Sequence, residues 1–399
     1  MRGPLEGIRV FDLTLIMVGP WSTMNLGALG ADVIHIERPG IERGSLGGGI
    51  PPYMNGTSIG HITWNMNKRQ MFLDLKSDFD VDVAHQLLAT CDVFVDNMRP
   101  GVADRLGLSY EKLSEINPRI IYCTICGWGT SGPMADRTAA DPQIQAFSGF
   151  AGNSGTEGGK SEVYRHFTQM DATTGNYATM AILMAMLARE KTGKGQRIDL
   201  TMVEAATAVQ ASRIGEYLAT GEQPALMGSG TTTVVPSGAF ETEDGTWLGL
   251  EARTLPQWQG LCSVLGLSDL AENPAYSTIA GRVAAREAIN ERLTAKLKTK
   301  PSRWWQLKLG QASVPCARIM RFEELMHHPQ VTKNHYIEPA ETKHWGTVYA
   351  TGLPWTFSRT PATVLPTSDG GEQTGEILDE LAERDAAKEA QATPAGVQS

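Results

Sequence analysis

The chain has 399 residues, 41% hydrophobic and 20% charged, a globular composition that excludes a disordered or fibrous chain. At roughly 150 residues per domain it has the length for two to three domains and a sizeable core. Thirty-five Lys and Arg against 44 Asp and Glu give a net charge of −9, which argues against a dedicated nucleic-acid binder but leaves room for a local basic patch that holds a small anion.

The first third alternates short β-rich runs with helical stretches. GIRVFDL reads as a strand, and PWSTMNLGALG (Pro20 to Gly30) as a helix of small residues with Pro20 suited to its first turn. ADVIHIE, RQMFLDL, CDVFVDN and RIIYCTI are further strands, with a helix near Phe79 to Ala89. Gly44 to Gly60 is rich in Gly, Pro, Ser and Thr and reads as a long loop. This alternation implies βαβ units and a mostly parallel sheet. Such sheets bind ligands at the carboxyl ends of their strands, here after Leu13, Ile36, Val95 and Ile125.

Asp171 to Glu190 is helical and apolar on nearly all faces, which predicts a buried helix. KTGKGQRIDLTM then gives a tight turn and a strand, and Val203 to Thr220 another helix. Gly221 to Ser237 reads as a linker or active-site loop. GAFETEDGTWLGLEA predicts a hairpin turning at Asp244-Gly245. Residues from about 254 to 328 are mainly helical, strands and loops follow Pro329, and the last fifteen residues are expected to be disordered.

Several familiar chemistries have no motif here. There is no phosphate-binding G-x-x-x-x-G-K-[ST], no G-x-S-x-G elbow and no metal spacing, and the first βα turn, LTLIMVGP, lacks G-x-G-x-x-G. Cys123 and Cys126 form a C-x-x-C with no second pair, and they read as core thiols of a strand. His327-His328 closes a helix before Pro329 and reads as a C-terminal cap. The apolar run Tyr177 to Ala188 is too short to span a bilayer. The N-terminal residues lack the pattern of a signal peptide, so the expectation is a cytoplasmic, reduced protein without metal or ATP chemistry.

Long segments are more specific. LEGIRVFDLT, LGALGADVIHIERPG, NMNKRQMFLDLKS, DVFVDNMRPGVADRLGLSYEKLSEINPRIIYCTICGWGTSGP, DPQIQAFSGF, MDATTGNYATMAILMAMLAREKTGKGQRIDLTM and PSGAFETEDGTWLGLE occur in that order. Together they resemble the class III CoA-transferase family, also called the CaiB/BaiF family, from about residue 5 to 380. The resemblance implies an α/β fold: a large Rossmann-like domain whose parallel sheet is formed from both chain ends, plus a smaller α+β domain. The implied layout is 1–224 for the large domain, 225–328 for the small one and 329–385 for a return segment, with 386–399 a disordered tail. It also implies an interlocked homodimer, or a heteromer with a paralogous subunit, without nucleic acid or membrane.

The same resemblance gives Asp171 the role of nucleophile, with acyl-CoA as substrate. The chemistry agrees: moving CoA between two acids without ATP needs a group that carries the acyl or CoA unit in between, and a carboxylate can do so. Asp171 stands before an apolar helix, where the positive end of the dipole favours its ionised form; the bland alternative is a plain helix N-cap. For the CoA nucleotide the resemblance points to Arg38, Lys68, Arg69, Leu73, Lys76, Asn97, Arg99 and Arg105. Gly228 and Gly230, in MGSGTTTVVPSG, fall where some members carry a longer glycine flap.

Two departures bear on the reaction. Racemising members have a His–Asp pair where this chain has Ala140, and Ala cannot exchange a proton at Cα. The formyl-CoA/oxalate branch has Gln and Trp where this chain has Met17 and Gly48. Met17, Trp64, Met66 and Met98 suit a bulkier acid: aryl, medium-chain or a substituted succinate, with succinyl-CoA or acetyl-CoA as donor. Isomerisation or racemisation of a CoA thioester, or a non-catalytic CoA-binding subunit, are the alternatives.

Overall fold

The computed structural model describes residues 3–40, 51–165, 168–351 and 353–392. The chain divides into two compact units: Met1–Ser148 with Tyr164–Ala211 and Thr332–Ser399, and Gly149–Val163 with Ser212–Val331. The break expected at 224 therefore falls at 211, and a short stretch before α4 (below) joins the second unit.

The first unit is built on six strands: β1 (Arg9–Leu13), β2 (Asp32–Glu37), β3 (Lys68–Phe72), β4 (Val93–Asp96), β5 (Ile121–Cys126) and β6 (Arg197–Thr201). They lie in the order β3-β2-β1-β4-β5-β6, and every neighbouring pair is parallel. The order reverses between β1 and β4, which opens a crevice at the carboxyl ends of the strands. The pleat sends alternate residues to opposite faces. Phe11, Ile34, Met71, Phe94 and Tyr122 pack on one face, and Val10, Val33, Val93, Val95 and Cys123 on the other. Both faces are buried, so the strands read as near-continuous apolar runs.

Four helices matter here: α1 (Val18–Ala28), α2 (Asp78–Leu88), α3 (Asp141–Phe147) and α4 (Gln169–Thr192). The chain folds back sharply between β1 and α1. A Cβ at Gly19 would lie 2.3 Å from the Thr14 side chain, so that position admits only glycine. The predicted helix over Val203 to Thr220 is two helices, Met202–Val209 and Ala211–Thr220, divided at Gln210. The predicted loop over Gly44 to Gly60 is described only from residue 51, where a short hairpin leads into the helix Ile59–Trp64.

Three expectations are corrected. First, all six strands of the sheet come from residues 9–201. The later segment supplies a separate hairpin (Ile337–Thr342 and Gly346–Thr351) and a helix over Thr374–Ala392. That helix closes the open edge at β3. The Gln373 side chain accepts from the Gln70 amide at 2.7 Å, Thr374 accepts from Phe72 at 3.0 Å, and Ile377 and Leu381 enter the core. Second, the same helix runs through the stretch expected to be a disordered tail from 386, as far as Ala392. Third, α4 is not buried all round. Met180, Met184 and Leu187 form an exposed stripe at helical spacing.

The second unit has a three-stranded antiparallel sheet of Ser237–Glu241, Trp247–Glu251 and Cys316–Arg318, with Trp247–Glu251 in the middle. The hairpin turns at Asp244-Gly245 as expected, with Gly245 at φ 68°. Helices over Leu255–Leu265, Arg286–Leu297 and Ser302–Gln311 cover it, around Trp258, Leu261, Ile289, Leu293 and Trp305.

Candidate active site

α1 and α4 pack closely. A Cβ at Gly175 would come within 2.6 Å of the Val18 carbonyl, so the glycine allows the approach. Asp171 is the third residue of α4, behind Thr168 at the N-cap position, whose side chain makes no capping bond. The plain N-cap alternative for Asp171 is thereby excluded. The cap comes from elsewhere. Asp141, the first residue of α3 and 2% exposed, accepts the amide protons of Met170 at 2.6 Å and Asp171 at 3.1 Å on its Oδ2. Its Oδ1 accepts from Gln145 Nε2. Gln145 is in turn clamped to the backbone of Tyr164: it accepts from the Tyr164 amide at 2.9 Å and donates to the Tyr164 carbonyl at 3.0 Å.

Burial, and then the negative charge of Asp141, push the half-buried Asp171 carboxyl up to about 7. This reverses the expectation that the helix end would favour its ionised form. The amides that carry the positive end of the dipole already serve Asp141.

A cavity of about 270 Å³ lies at the carboxyl ends of β1 to β4. Arg38, Leu73, Lys76, Trp64 and Met98 line it, so Met98, expected against the acid, sits at this cavity instead. Arg38 is exposed, 3.6 Å from Asp74. Asn97 stands beside the cavity and ties the β1 loop to the β4 loop. It donates to the Leu15 carbonyl at 2.7 Å and accepts from the Leu15 amide at 2.8 Å. Arg99 and Arg105 are exposed in the segment after β4 and do not line the cavity.

Two expected cations are turned elsewhere. Lys68 is buried, 2.9 Å from Asp12 and 2.8 Å from Asn65 Oδ1. Arg69 sits at the start of β3, the end opposite the ligand crevice, and is bound to Asp32, Glu376 and Glu380. Neither is placed to hold a nucleotide, because tertiary contacts already satisfy both charges.

A second, open cleft of about 690 Å³ borders the first turn of α4. Met17, Trp21, Trp64, Thr168, Ala172 and Asn176 are among its lining residues, and no described residue lining it is charged. Trp64 lines both spaces. Asn176 holds Trp21 in place by accepting its Nε1–H at 2.9 Å. Met66 is not part of the cleft. It packs with Met24, Ile62 and Trp345 in a core of its own. Ala140 is exposed at the N-cap position of α3. Gly228 and Gly230 belong to the second unit, where Gly228 donates to the Gly155 carbonyl at 2.8 Å and Ser229 between them accepts from Ala239. Gly48 lies outside the described residues.

Asp141, Gln145, Trp21 and Asn176 were not singled out by the sequence. The run Asp141-Pro142-x-x-Gln145 carries a signal, since Asp then Pro opens a helix and Gln one turn on can reach back. Nothing local shows that Asp141 caps a different helix. Among the described residues no helix is long and apolar enough to cross a membrane, and no three His, Cys, Asp or Glu side chains are grouped to hold a metal ion.

Comparison with known proteins places this geometry in context. The model of CoA-transferase family III matches residues 5–369. Over 379 residues the chain is 32% identical to succinyl-CoA:glutarate CoA-transferase from Homo sapiens, covering 95% of this chain and 86% of that one. It is 29% identical over 404 residues to formyl-CoA:oxalate CoA-transferase from Rhodopseudomonas palustris, covering 95% and 93%. The crystal structure of a CaiB/BaiF family protein from Brucella suis superposes with a TM-score of 0.86 at 29% identity, over 96% of this chain and 100% of that one.

Proposed function

Because the chain belongs to CoA-transferase family III, we propose that it moves CoA from an acyl-CoA to a free carboxylic acid through covalent intermediates on Asp171. The observation that carries this reading is Asp171 itself, a carboxylate with no described side chain or amide donating to it, in the turn of α4 that supplies Thr168 and Ala172 to an uncharged cleft, although Asp171 is not among the residues lining that cleft. Its oxygen attacks the thioester carbonyl, the C–S bond breaks, and CoA leaves as thiolate. The thiolate then attacks the Asp171 carbonyl of the mixed anhydride, which releases the donor acid as carboxylate and leaves an aspartyl-CoA thioester. The acceptor carboxylate runs the two steps in reverse. No proton is consumed and no ATP is required, because thioester and anhydride bonds are exchanged for one another.

On this reading Arg38 and Lys76, which line the 270 Å³ cavity, bind the phosphates of CoA, and Leu73 and Met98, which also line it, lie against its apolar parts. The acceptor's body lies against Met17, Trp21 and Trp64, walls that suit an aryl, medium-chain or substituted succinic acid. Succinyl-CoA is the donor we favour, the donor named for the human relative. The exposed stripe of Met180, Met184 and Leu187 supports assembly with a second copy or a paralogous subunit. The protein acts in the cytoplasm on this reading. Racemisation gains no support, since Ala140 offers no base.

Intact-mass measurement after brief incubation with succinyl-CoA, followed by peptide mapping, tests the proposal. The expected result is a CoA adduct on the Asp171 peptide that is absent in Asp171→Asn, together with a loss of turnover of at least about a thousandfold. Turnover retained in Asp171→Asn would overturn it.

A further inference from the structure

We infer that Asp141 is the positioning residue for Asp171: it takes over the capping of α4, so the carboxylate of Asp171 stays free for substrate instead of binding its own helix. The inference rests on the reading of Asp171 as nucleophile. An acidic residue in the first turn of a helix ordinarily turns back to the free amides there, and their donation lowers its basicity. A carboxylate spent in that way is a weak nucleophile. Here the amides of Met170 and Asp171 are both bound by Oδ2 of Asp141, a side chain 30 positions earlier in the chain.

Asp141 is itself held rigidly. It is 2% exposed, its other oxygen accepts from Gln145, and Gln145 is fixed at both ends of its amide to Tyr164. A charge so close to Asp171 also acts on it through space and favours its protonated form.

The neighbouring elements bring little else that is charged. α1 carries no titratable side chain, and the helix Met202–Val209 brings only Glu204, which is bonded to Thr201. β5 brings Tyr122, Cys123 and Cys126, and β6 brings Arg197 and Asp199, which pair with each other. On α4 itself, Arg189 pairs with Asp92 near the far end of the helix. Glu190 and Lys191 lie there too. Tyr177 also lies on α4, and Arg165 is exposed in the segment before it. Burial raises Asp171 first, and Asp141 is the charged group that adds to it among the described residues.

The test is the pH profile of kcat/KM for acyl-CoA in wild type, Asp141→Asn and Asp141→Ala. Wild type is expected to lose activity as pH falls through about 7, where Asp171 takes up its proton. Asp141→Asn keeps an oxygen for the two amides but removes the charge. Its acid limb is expected about one pH unit lower. Asp141→Ala removes the cap as well, freeing the amides to bind Asp171, and kcat is expected to fall at least about tenfold with KM for acyl-CoA little changed. An acid limb in Asp141→Asn that coincides with wild type, or kcat unchanged in Asp141→Ala, overturns the inference.

Gln145→Met provides a second route if the Asp141 variants do not fold. It leaves the charge and loosens the clamp, so kcat is expected to drop while the acid limb stays in place; unchanged kcat there overturns the inference too. The two readings fail separately. Without an adduct on the Asp171 peptide of the wild-type protein, the nucleophile itself is wrong. With a normal adduct and an unmoved profile, only the role of Asp141 is.

Discussion

Asp12 and Asp171 are carboxylates in the same unit with opposite surroundings. Asp12 is fully buried and surrounded by partners: the Thr14 amide at 3.1 Å, the Thr23 hydroxyl at 2.7 Å, Lys68 Nζ at 2.9 Å and His35 Nδ1 at 3.1 Å. Burial opposes its ionisation, but the charges of Lys68 and His35 and these bonds outweigh it and hold the carboxyl well below the usual range. Asp171 is less buried, has no described donor and faces another carboxylate, and it is pushed up to about 7. Burial alone therefore does not decide the charge of a carboxylate; its partners do. The partners of Asp12 favour its ionised form, whereas burial and the charge of Asp141 favour the protonated form of Asp171.

The contrast can be broken most forcefully on the structural side. Lys68→Met leaves Asp12 buried without its cation and is expected to lower stability by about 3–5 kcal/mol in urea unfolding. Pairing it with Asp12→Asn should recover a large part of the loss, and the double-mutant cycle measures how much. Two independent, additive losses would show that the pair is not coupled.

The pH dependence of stability sharpens the contrast, because the two carboxylates work in opposite senses. The folded pKa of Asp12 is depressed, so its contribution is present above its unfolded value near 3.8 and is lost as pH falls through the folded value. That of Asp171 is raised, so the fold favours its protonated form, and this contribution is lost as pH rises from 3.8 to about 7. Asp171→Asn should therefore remove a decline in stability across that window, read from denaturant midpoints at successive pH values. A stability difference between wild type and Asp171→Asn that does not change across the window would contradict the environment described for Asp171.

A smaller effect separates two arginines. Arg38→Ala is expected to raise KM for acyl-CoA about tenfold, by a margin that shrinks in high salt. Arg69→Ala should leave that KM unchanged and lower the melting temperature instead, since Arg69 joins β3 to Glu376 and Glu380. A raised KM in Arg69→Ala would return that residue to the binding site.

The strands and helices were legible because their signals are short-range. The β-rich runs GIRVFDL and ADVIHIE, the small-residue helix at Pro20 and the Asp244-Gly245 turn each depend on a few adjacent residues, and all four are found in the structure. Asp171 was singled out by its sequence surroundings, and Arg38, Leu73 and Lys76 do line the cavity at the strand ends. The fates of Lys68 and Arg69 were not legible. Adjacent cations at the start of one strand look alike in a sequence, yet one is taken by Asp12 inside the core and the other by a helix some 300 positions away.

The electrostatics of the site were likewise open until the chain was folded. By itself the sequence determined the βαβ pattern and marked Asp171 as the candidate nucleophile, because composition and motif are written in neighbouring positions. Only the tertiary structure decided that Asp141 caps the helix of Asp171, and therefore that the Asp171 carboxyl lacks a capping bond and is pushed up by burial and by the charge of Asp141. Hydrogen bonds and charge effects act across space between residues that the sequence holds far apart.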